Sequence, residues 1–243
     1  MDNSELYDAV WKRRSVRKYN DKQIEAKKID ALKRSISSLN EESGLTIEFF
    51  ENSDTFNTFK AVGFKGIRSV IAVKGKTSDP DLFEKCGYYG EKLILEATSL
   101  GLGTCWVAMG FNRNGLNIKA DEEIACAVPI GYGAEEIIYP AGIPDAPHRK
   151  TISVSEFLDG KTDVPDWVKA AVKSVQFAPT ARNSQKTRFR FSDGIVTAEI
   201  PSSKVGVFDK LNMIDLGITK LHFELAAGGK FSLGSPGRFE KDR

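Results

Sequence analysis

The sequence predicts a fold that mixes helices and strands, and three observations carry that prediction. Ile29, Leu32, Ile36 and Leu39 recur at the 3, 4, 3 spacing of one helical face, with Lys27, Lys28, Lys33 and Arg34 around the remainder. Ile67 to Val73 and Ile124 to Ile130 are short β-branched, apolar runs bounded by turn residues. Asp193-Gly194 joins two period-2 segments, Arg188 to Ser192 and Ile195 to Ile200, the pattern of a β-hairpin with a type I′ turn.

The other elements follow in order. Leu6, Ala9 and Val10 predict a short N-terminal helix that ends in the basic run Lys12 to Lys18. Thr46 to Phe50 reads as a strand, and Asp81 to Leu100 as a long helix closed by Gly101. Thr104 to Val107 should be extended, and Ile124 to Ile130 is apolar enough for a strand buried on both faces. Past a polar, breaker-containing stretch between Phe157 and Asp166, the residues Trp167, Ala170, Ala171, Ser174 and Val175 outline another helical face. It stops before Pro179, because a residue preceding proline is biased out of the helical region. Asn212 to Ala227 forms a last helix, with Ile214, Ile218, Leu221 and Leu225 on one side and Gly228-Gly229 at its end. Gly90 to Gly101 and Gly217 to Gly228 are equally long, which suggests either a degenerate internal repeat or a coincidence between amphipathic helices.

Composition bounds the function. The chain has 243 residues, 41% hydrophobic and 28% charged, which suits a well-buried core and excludes a disordered or fibrous protein. A formal charge of +2 implies no polyanion partner, so nucleic acid is not expected. Cys86, Cys105 and Cys126 have neither metal-ligand spacing nor an even count, so no metal site or disulfide framework is expected and a reducing cytoplasm is the natural setting. No apolar stretch is long enough for a membrane span, and the N-terminus lacks the pattern of an export signal.

Three segments could carry chemistry. Arg13, Arg14 and Arg17 flank Ser15, and guanidinium forks bind phosphate bidentately; the alternative is a solvated cluster complementing a helix dipole. His148-Arg149-Lys150 follows the Pro- and Gly-containing stretch Pro140 to Pro147 and reads as a second anion-binding cluster or a solvated turn. Ala178 to Gln185 is dense in amides and hydroxyls, fit for the edge of a heterocycle or for an ordinary capped loop. Gly101-Leu102-Gly103 follows a helix, so it is no dinucleotide fingerprint. Cys105 has no histidine partner in a pairing motif, and His222 reads as a packed or half-exposed side chain of an amphipathic helix.

Taken together, Arg13-Arg14-Ser15-Val16-Arg17-Lys18-Tyr19, Ser99 to Trp106 and Ala178-Pro179-Thr180-Ala181-Arg182-Asn183-Ser184-Gln185 resemble the signatures of the nitroreductase family of FMN-dependent oxidoreductases. The resemblance implies an α+β, three-layer α/β/α fold with a mostly antiparallel central sheet. The third signature comes after residue 177, whereas the family carries it early, at the place taken here by Ser35 to Gly44. That order implies a tandem, single-chain variant: residues 1–157 form one nitroreductase-like unit and residues 158–243 an abbreviated second one that completes a single flavin site. A monomer with an internal pseudo-dimer follows, with a dimer of such chains as the alternative.

By the same resemblance, Arg13, Arg14, Ser15 and Arg17 hold the FMN phosphate and the polar edge of its ring system, with Arg149 and Lys150 adding phosphate contacts. Thr104, Cys105, Trp106, Val107 and Ala108 run beside N5, and Pro179, Thr180, Ala181, Asn183 and Gln185 cover the other side. Arg17 is the candidate to stabilise the reduced ring, and Lys60 and Lys65 are further candidates for reaching it. The acidic residue that some members place beside N5 is absent from Trp106 to Gly110, and Lys186 stands where the family usually has proline. The implied activity is ping-pong hydride transfer from NAD(P)H to a nitroaromatic, quinone or related small-molecule acceptor, with no side chain as catalytic acid or base. A non-catalytic flavin-binding or flavin-processing protein is the alternative.

Overall fold

The computed structural model describes residues 2–57, 63–135, 147–161, 163–201 and 207–242. Its elements run α1 (Asn3–Lys12), α2 (Ala26–Ser43), β1 (Glu48–Phe50), β2 (Ser69–Lys76), α3 (Leu82–Ser99), β3 (Gly103–Thr104) and β4 (Glu122–Gly131). There follow α4 (Val154–Phe157), α5 (Asp166–Val175), β5 (Arg188–Ser192), β6 (Ile195–Glu199), α6 (Val207–Ala227), β7 (Gly229–Phe231) and β8 (Gly237–Lys241). The chain divides into two compact units: Lys12–Leu82 with Lys92–Tyr139, and Met1–Trp11 with Phe83–Glu91 and Pro140–Arg243.

The first of these units holds an antiparallel sheet in the order β1-β2-β4-β3. β4 is central and almost wholly buried, as its apolar run predicts, and it pairs Ala127 with Ala72 and Cys126 with Val73. A bulge follows Val73 and turns Lys74 inward, where its Nζ meets Glu122 at 3.3 Å and the Asn117 carbonyl at 3.0 Å. α2 buries Leu32, Ile36 and Leu39 and ends at Gly44, whose φ of 75° closes the helix. The expected extended stretch Thr104 to Val107 is shorter than predicted: strand β3 ends at Thr104, and Val107 rejoins the sheet through a separate bridge to Ala127.

The second unit holds an antiparallel sheet in the order β5-β6-β8-β7. Asp193 and Gly194 have φ of 52° and 77°, the two positive values that a type I′ turn needs, and the hairpin closes with Ser192 opposite Ile195. Phe189, Phe223, Phe231 and Phe239 pack against one another, with Phe189 stacked on Phe223 at 5.0 Å between centroids. α5 presents a face rotated from the predicted one. Val168, Ala171, Val172 and Val175 are buried while Ala170 is exposed, because the valines fill the core beside Phe189 and Phe157 more completely than alanine would. α6 is buried nearly all round from Asn212 to Glu224, so His222 is fully enclosed, its Nε2 3.0 Å from Glu91 and its Nδ1 3.3 Å from the Ser174 carbonyl.

Within this unit α3 and α6 approach backbone to backbone. A Cβ on Gly87 would lie 2.0 Å from the Ile214 carbonyl oxygen, and one on Gly217 would lie 2.0 Å from the Glu84 carbonyl oxygen. The contact is reciprocal, since each glycine meets the residue three places before the other. Beside it Lys220 and Glu84 form a buried ion pair, and Lys220 Nζ also donates to the carbonyls of Ser232 and Gly234. No described helix is long and apolar enough to cross a membrane, and no cluster of metal-ligating side chains occurs among the described residues.

Candidate functional site

In the first unit the basic segment leaves α1 at Lys12 and continues extended, so its arginines do not decorate a last helical turn. Ser15 pairs in parallel with Thr104, and Val16 N donates to the Thr104 carbonyl at 2.8 Å. Farther along, Tyr19 N donates to Lys65 O at 2.9 Å and Asn20 N to Tyr132 O at 3.0 Å, so the segment is stitched down on both sides. The close approach needs Gly103, where a Cβ would come 2.6 Å from Val16 Cγ2. Tyr19 anchors the turn, its hydroxyl 2.8 Å from the Val16 carbonyl and 3.0 Å from that of Pro129, and burial pushes its ionisation far above the usual tyrosine range.

This pairing brings together much of what the motifs suggested. Arg13 is 3% exposed, Arg14 and Ser15 are half-buried and Arg17 is exposed, while Thr104 and Cys105 are buried across from them. Burial raises the Cys105 thiol above its ordinary value, and the positive charges of Arg17 and Arg13 and a bond from Ser15 oppose that rise without cancelling it. Cys105 is therefore a neutral thiol at pH 7, in keeping with its lack of a histidine partner. Arg14 Nη1 and Thr104 Oγ1 are buried without a hydrogen-bond partner among the described residues. Each such group costs about 1–3 kcal/mol unless something satisfies it. A guanidinium nitrogen and a hydroxyl left open among three arginines suit the oxygens of a phosphate. Val107 spends its backbone groups on Ala127, with bonds of 3.2 and 2.9 Å, and Trp106 and Ala108 are half-buried on either side of it.

The second unit holds the other predicted residues. Arg149 donates to the carbonyls of Gln176 and Ala178, so two of its guanidinium nitrogens finish the end of α5. Lys150 is exposed, and its carbonyl accepts from Asn183 Nδ2 at 2.7 Å and from Gln185 Nε2 at 3.3 Å. Gln185 Oε1 accepts from Thr151 Oγ1 at 2.6 Å and Ile152 N at 3.0 Å, and Gln185 N donates to Thr180 Oγ1 at 3.1 Å. The amide of Gln185 is thus committed to the protein. Pro179 is buried, Thr180 and Ala181 are half-buried, and Asn183 Oδ1 is buried without a partner among the described residues.

The loop carries backbone strain. Arg182, Asn183 and Gln185 have φ of 54°, 56° and 49°, a region where a side chain costs roughly 1–2 kcal/mol per residue. Beneath it lies Asp215 of α6, 3% exposed, which accepts Ala181 N at 2.9 and 3.0 Å and Ser184 Oγ at 3.4 Å. Burial raises its carboxyl to about 7, against the bonds from Ala181 and Ser184 and the charge of Lys186. Asp215 was not among the residues predicted; its signal in sequence is an acid inside the otherwise apolar run Ile214 to Ile218. Lys65 serves the first unit through backbone bonds, while Lys60 and most of Pro140 to Pro147 lie outside the described residues.

The family model described as "Putative TM nitroreductase" matches residues 5–227. The chain belongs to this nitroreductase family. A solved structure described as a putative nitroreductase from Thermotoga maritima is 18% identical with a TM-score of 0.65, and the match covers 98% of this chain and 94% of that one. It shares the mixed α+β fold with antiparallel sheets. A putative NADH dehydrogenase/NAD(P)H nitroreductase from Parabacteroides distasonis is 24% identical with a TM-score of 0.47, covering 56% of this chain and 91% of that one. An FMN-dependent nitroreductase from Clostridium difficile is 21% identical with a TM-score of 0.45, covering 54% and 90%. A search of curated proteins found no match.

Proposed function

We infer that this nitroreductase-family chain is an FMN-dependent oxidoreductase that takes hydride from NAD(P)H and passes it to a nitroaromatic, quinone or related electrophile. The observation that carries the reading is that two buried polar atoms of the basic segment and the strand it pairs with, Arg14 Nη1 and Thr104 Oγ1, have no hydrogen-bond partner among the described residues. When bound there, FMN supplies the capacity to accept and release two electrons with a proton. Arg13, Arg14, Ser15 and Arg17 hold its phosphate and polar edge, and the family resemblance puts Thr104, Cys105, Trp106, Val107 and Ala108 beside its ring. Cys105 stays protonated and takes no part in acid or base chemistry, and no side chain is assigned as catalytic.

The family resemblance extends the assignment to Arg149, Lys150, Pro179, Thr180, Ala181, Asn183 and Gln185. The committed bonds of Arg149 and Gln185 make loop positioning their first role. A tandem origin within one chain is the companion proposal. Its supports are the common strand order, first-second-fourth-third with a helix between second and third, and the reciprocal contact of Gly87 and Gly217.

The visible absorption spectrum of the purified protein tests the reading, recorded before and after anaerobic addition of NADPH and of NADH. Flavin bands at one FMN per chain that bleach with either nucleotide are expected. Bound flavin that neither nucleotide reduces would point to a non-catalytic flavin protein, and no uptake from excess FMN would overturn the assignment. Arg14→Ala should weaken FMN binding by about tenfold or more, the worth of one charge-assisted phosphate contact.

A further inference from the structure

The buried carboxyl of Asp215 bears directly on the strained loop. Both of its oxygens accept the same backbone N–H, that of Ala181, at 2.9 and 3.0 Å, and Oδ2 also lies 3.4 Å from Ser184 Oγ. These two anchors bracket Arg182 and Asn183, and Gln185 follows directly, so the three left-handed residues sit on and just beyond the anchored turn. A turn of this kind holds only when its surroundings over-determine it, and such strain clusters where a loop must present groups to a ligand. From these contacts we propose that Asp215 is a positioning residue: its ionised carboxylate locks residues 180–185 in their left-handed turn, and loss of that charge loosens the loop and with it the hold on flavin. The proposal rests on the FMN reading above for its ligand, and on the geometry alone for the anchor.

The chemistry is that of charged against neutral hydrogen bonds. An ionised carboxylate accepts from both Ala181 N and Ser184 Oγ, and both bonds favour the charged form; a protonated carboxyl can still accept Ala181 N on one oxygen and turn its O–H toward Ser184 Oγ, but only through neutral bonds. Hydrogen bonds to the charged form are also roughly twice as strong as neutral ones. Because burial brings the carboxyl to about 7, both forms are populated near neutral pH. Lys186, just after the loop, is the charged group whose field favours the ionised form. On α3, packed against α6, Glu84 is engaged by Lys220 and Glu91 faces His222, while Glu224 of α6 itself accepts from Tyr88 and Phe231 N.

Two measurements on the full chain test this. The first is amide hydrogen exchange of residues 178–186 in the flavin-free protein, corrected for intrinsic exchange, from pH 6 to 8. Protection should rise with pH in the wild type and stay flat in Asp215→Asn, which keeps the shape and one acceptor but cannot ionise. The same pH response in both proteins would overturn the proposal. If the Asn variant does not fold, Ser184→Ala replaces it, and loss of a bond to the charged form should move the midpoint to higher pH; an unmoved midpoint would count against the anchor.

The second is FMN affinity, titrated by flavin fluorescence over the same range. If only the anchored loop binds, the apparent Kd should tighten about tenfold from pH 6 to pH 8 in the wild type relative to Asp215→Asn, following the ionised fraction. The phosphate of FMN titrates equally in both, so their difference isolates Asp215. A flat difference with the exchange result intact would detach the loop from flavin and overturn that half of the proposal. Failure to bind FMN at any pH would instead overturn the functional reading.

Discussion

The two sheets have the same strand order and very different connections. In the first, residues 51–68 join β1 to β2 and residues 105–121 join β3 to β4; in the second, the two-residue turn Asp193-Gly194 and the short stretch 232–236 make the corresponding links. The long connections accompany the sheet whose edge strand β3 receives the basic segment at Ser15. The short ones accompany a sheet packed on four phenylalanines and on a helix buried nearly all round from Asn212 to Glu224. One scaffold thus supports two uses. Long connections leave room for a segment carrying chemistry, and tight turns leave little but packing, except where Asp215 and the loop of residues 180–185 depart from that economy.

The sharpest way to break the comparison is to ask how each unit tolerates one added methyl. In the packed unit, Gly217→Ala drives a Cβ to 2.0 Å from the Glu84 carbonyl oxygen and 2.7 Å from Tyr88 N, backbone atoms that cannot step aside. It should destabilise by roughly 4 kcal/mol or prevent folding, beyond the ordinary overpacking range, as read by urea denaturation. In the unit with long connections, Gly103→Ala meets Val16 Cγ2 at 2.6 Å and Val16 Cβ at 2.8 Å, so the extended segment carrying Val16 must move by a few tenths of an ångström. Its expected cost is the smallest of the three, about 1–2 kcal/mol. Equal losses for the two would show that the units do not differ in rigidity.

Between these lies the effect of pH. The folded Asp215 carboxyl titrates near 7, above its unfolded value near 4, so the folded state holds the extra proton more tightly in that window. Its contribution to stability is fully present below about pH 4 and is lost as pH rises through about 7. Linkage gives a decline of about 2–3 kcal/mol between pH 5 and pH 8, from which Asp215→Asn should be exempt. Urea unfolding of both proteins at the two pH values checks the sign; a wild-type stability that rises over this range as the variant's stays level would refute it. The same ionisation that secures the loop therefore weakens the fold.

Much of the architecture could be read from local pattern. The face of α2, the buried run of β4 and the Asp193-Gly194 turn are each stated by a few neighbouring residues, because helix period, strand burial and positive φ are local requirements. α4 is marked locally as well, since Ser153 and Glu156 form a capping box at the spacing that signals one. β7 and β8 had no such signal. Gly229 to Phe231 is three residues long, and Gly237 to Lys241 offers only Phe239 as a buried anchor, so their strand character comes from pairing with each other and with β6.

The site divides along the same line. That Arg13, Arg14, Ser15 and Arg17 form a cation cluster is a property of the sequence by itself, and so are the fold class and the family signatures. The tertiary structure alone decided that Arg13 is buried, that Thr104 lies against Ser15, that Arg149 finishes α5 and that Asp215 titrates near 7. Charge and propensity belong to residues one at a time, whereas desolvation and hydrogen-bond satisfaction depend on what the fold brings within a few ångströms, and no count along the chain contains that distance.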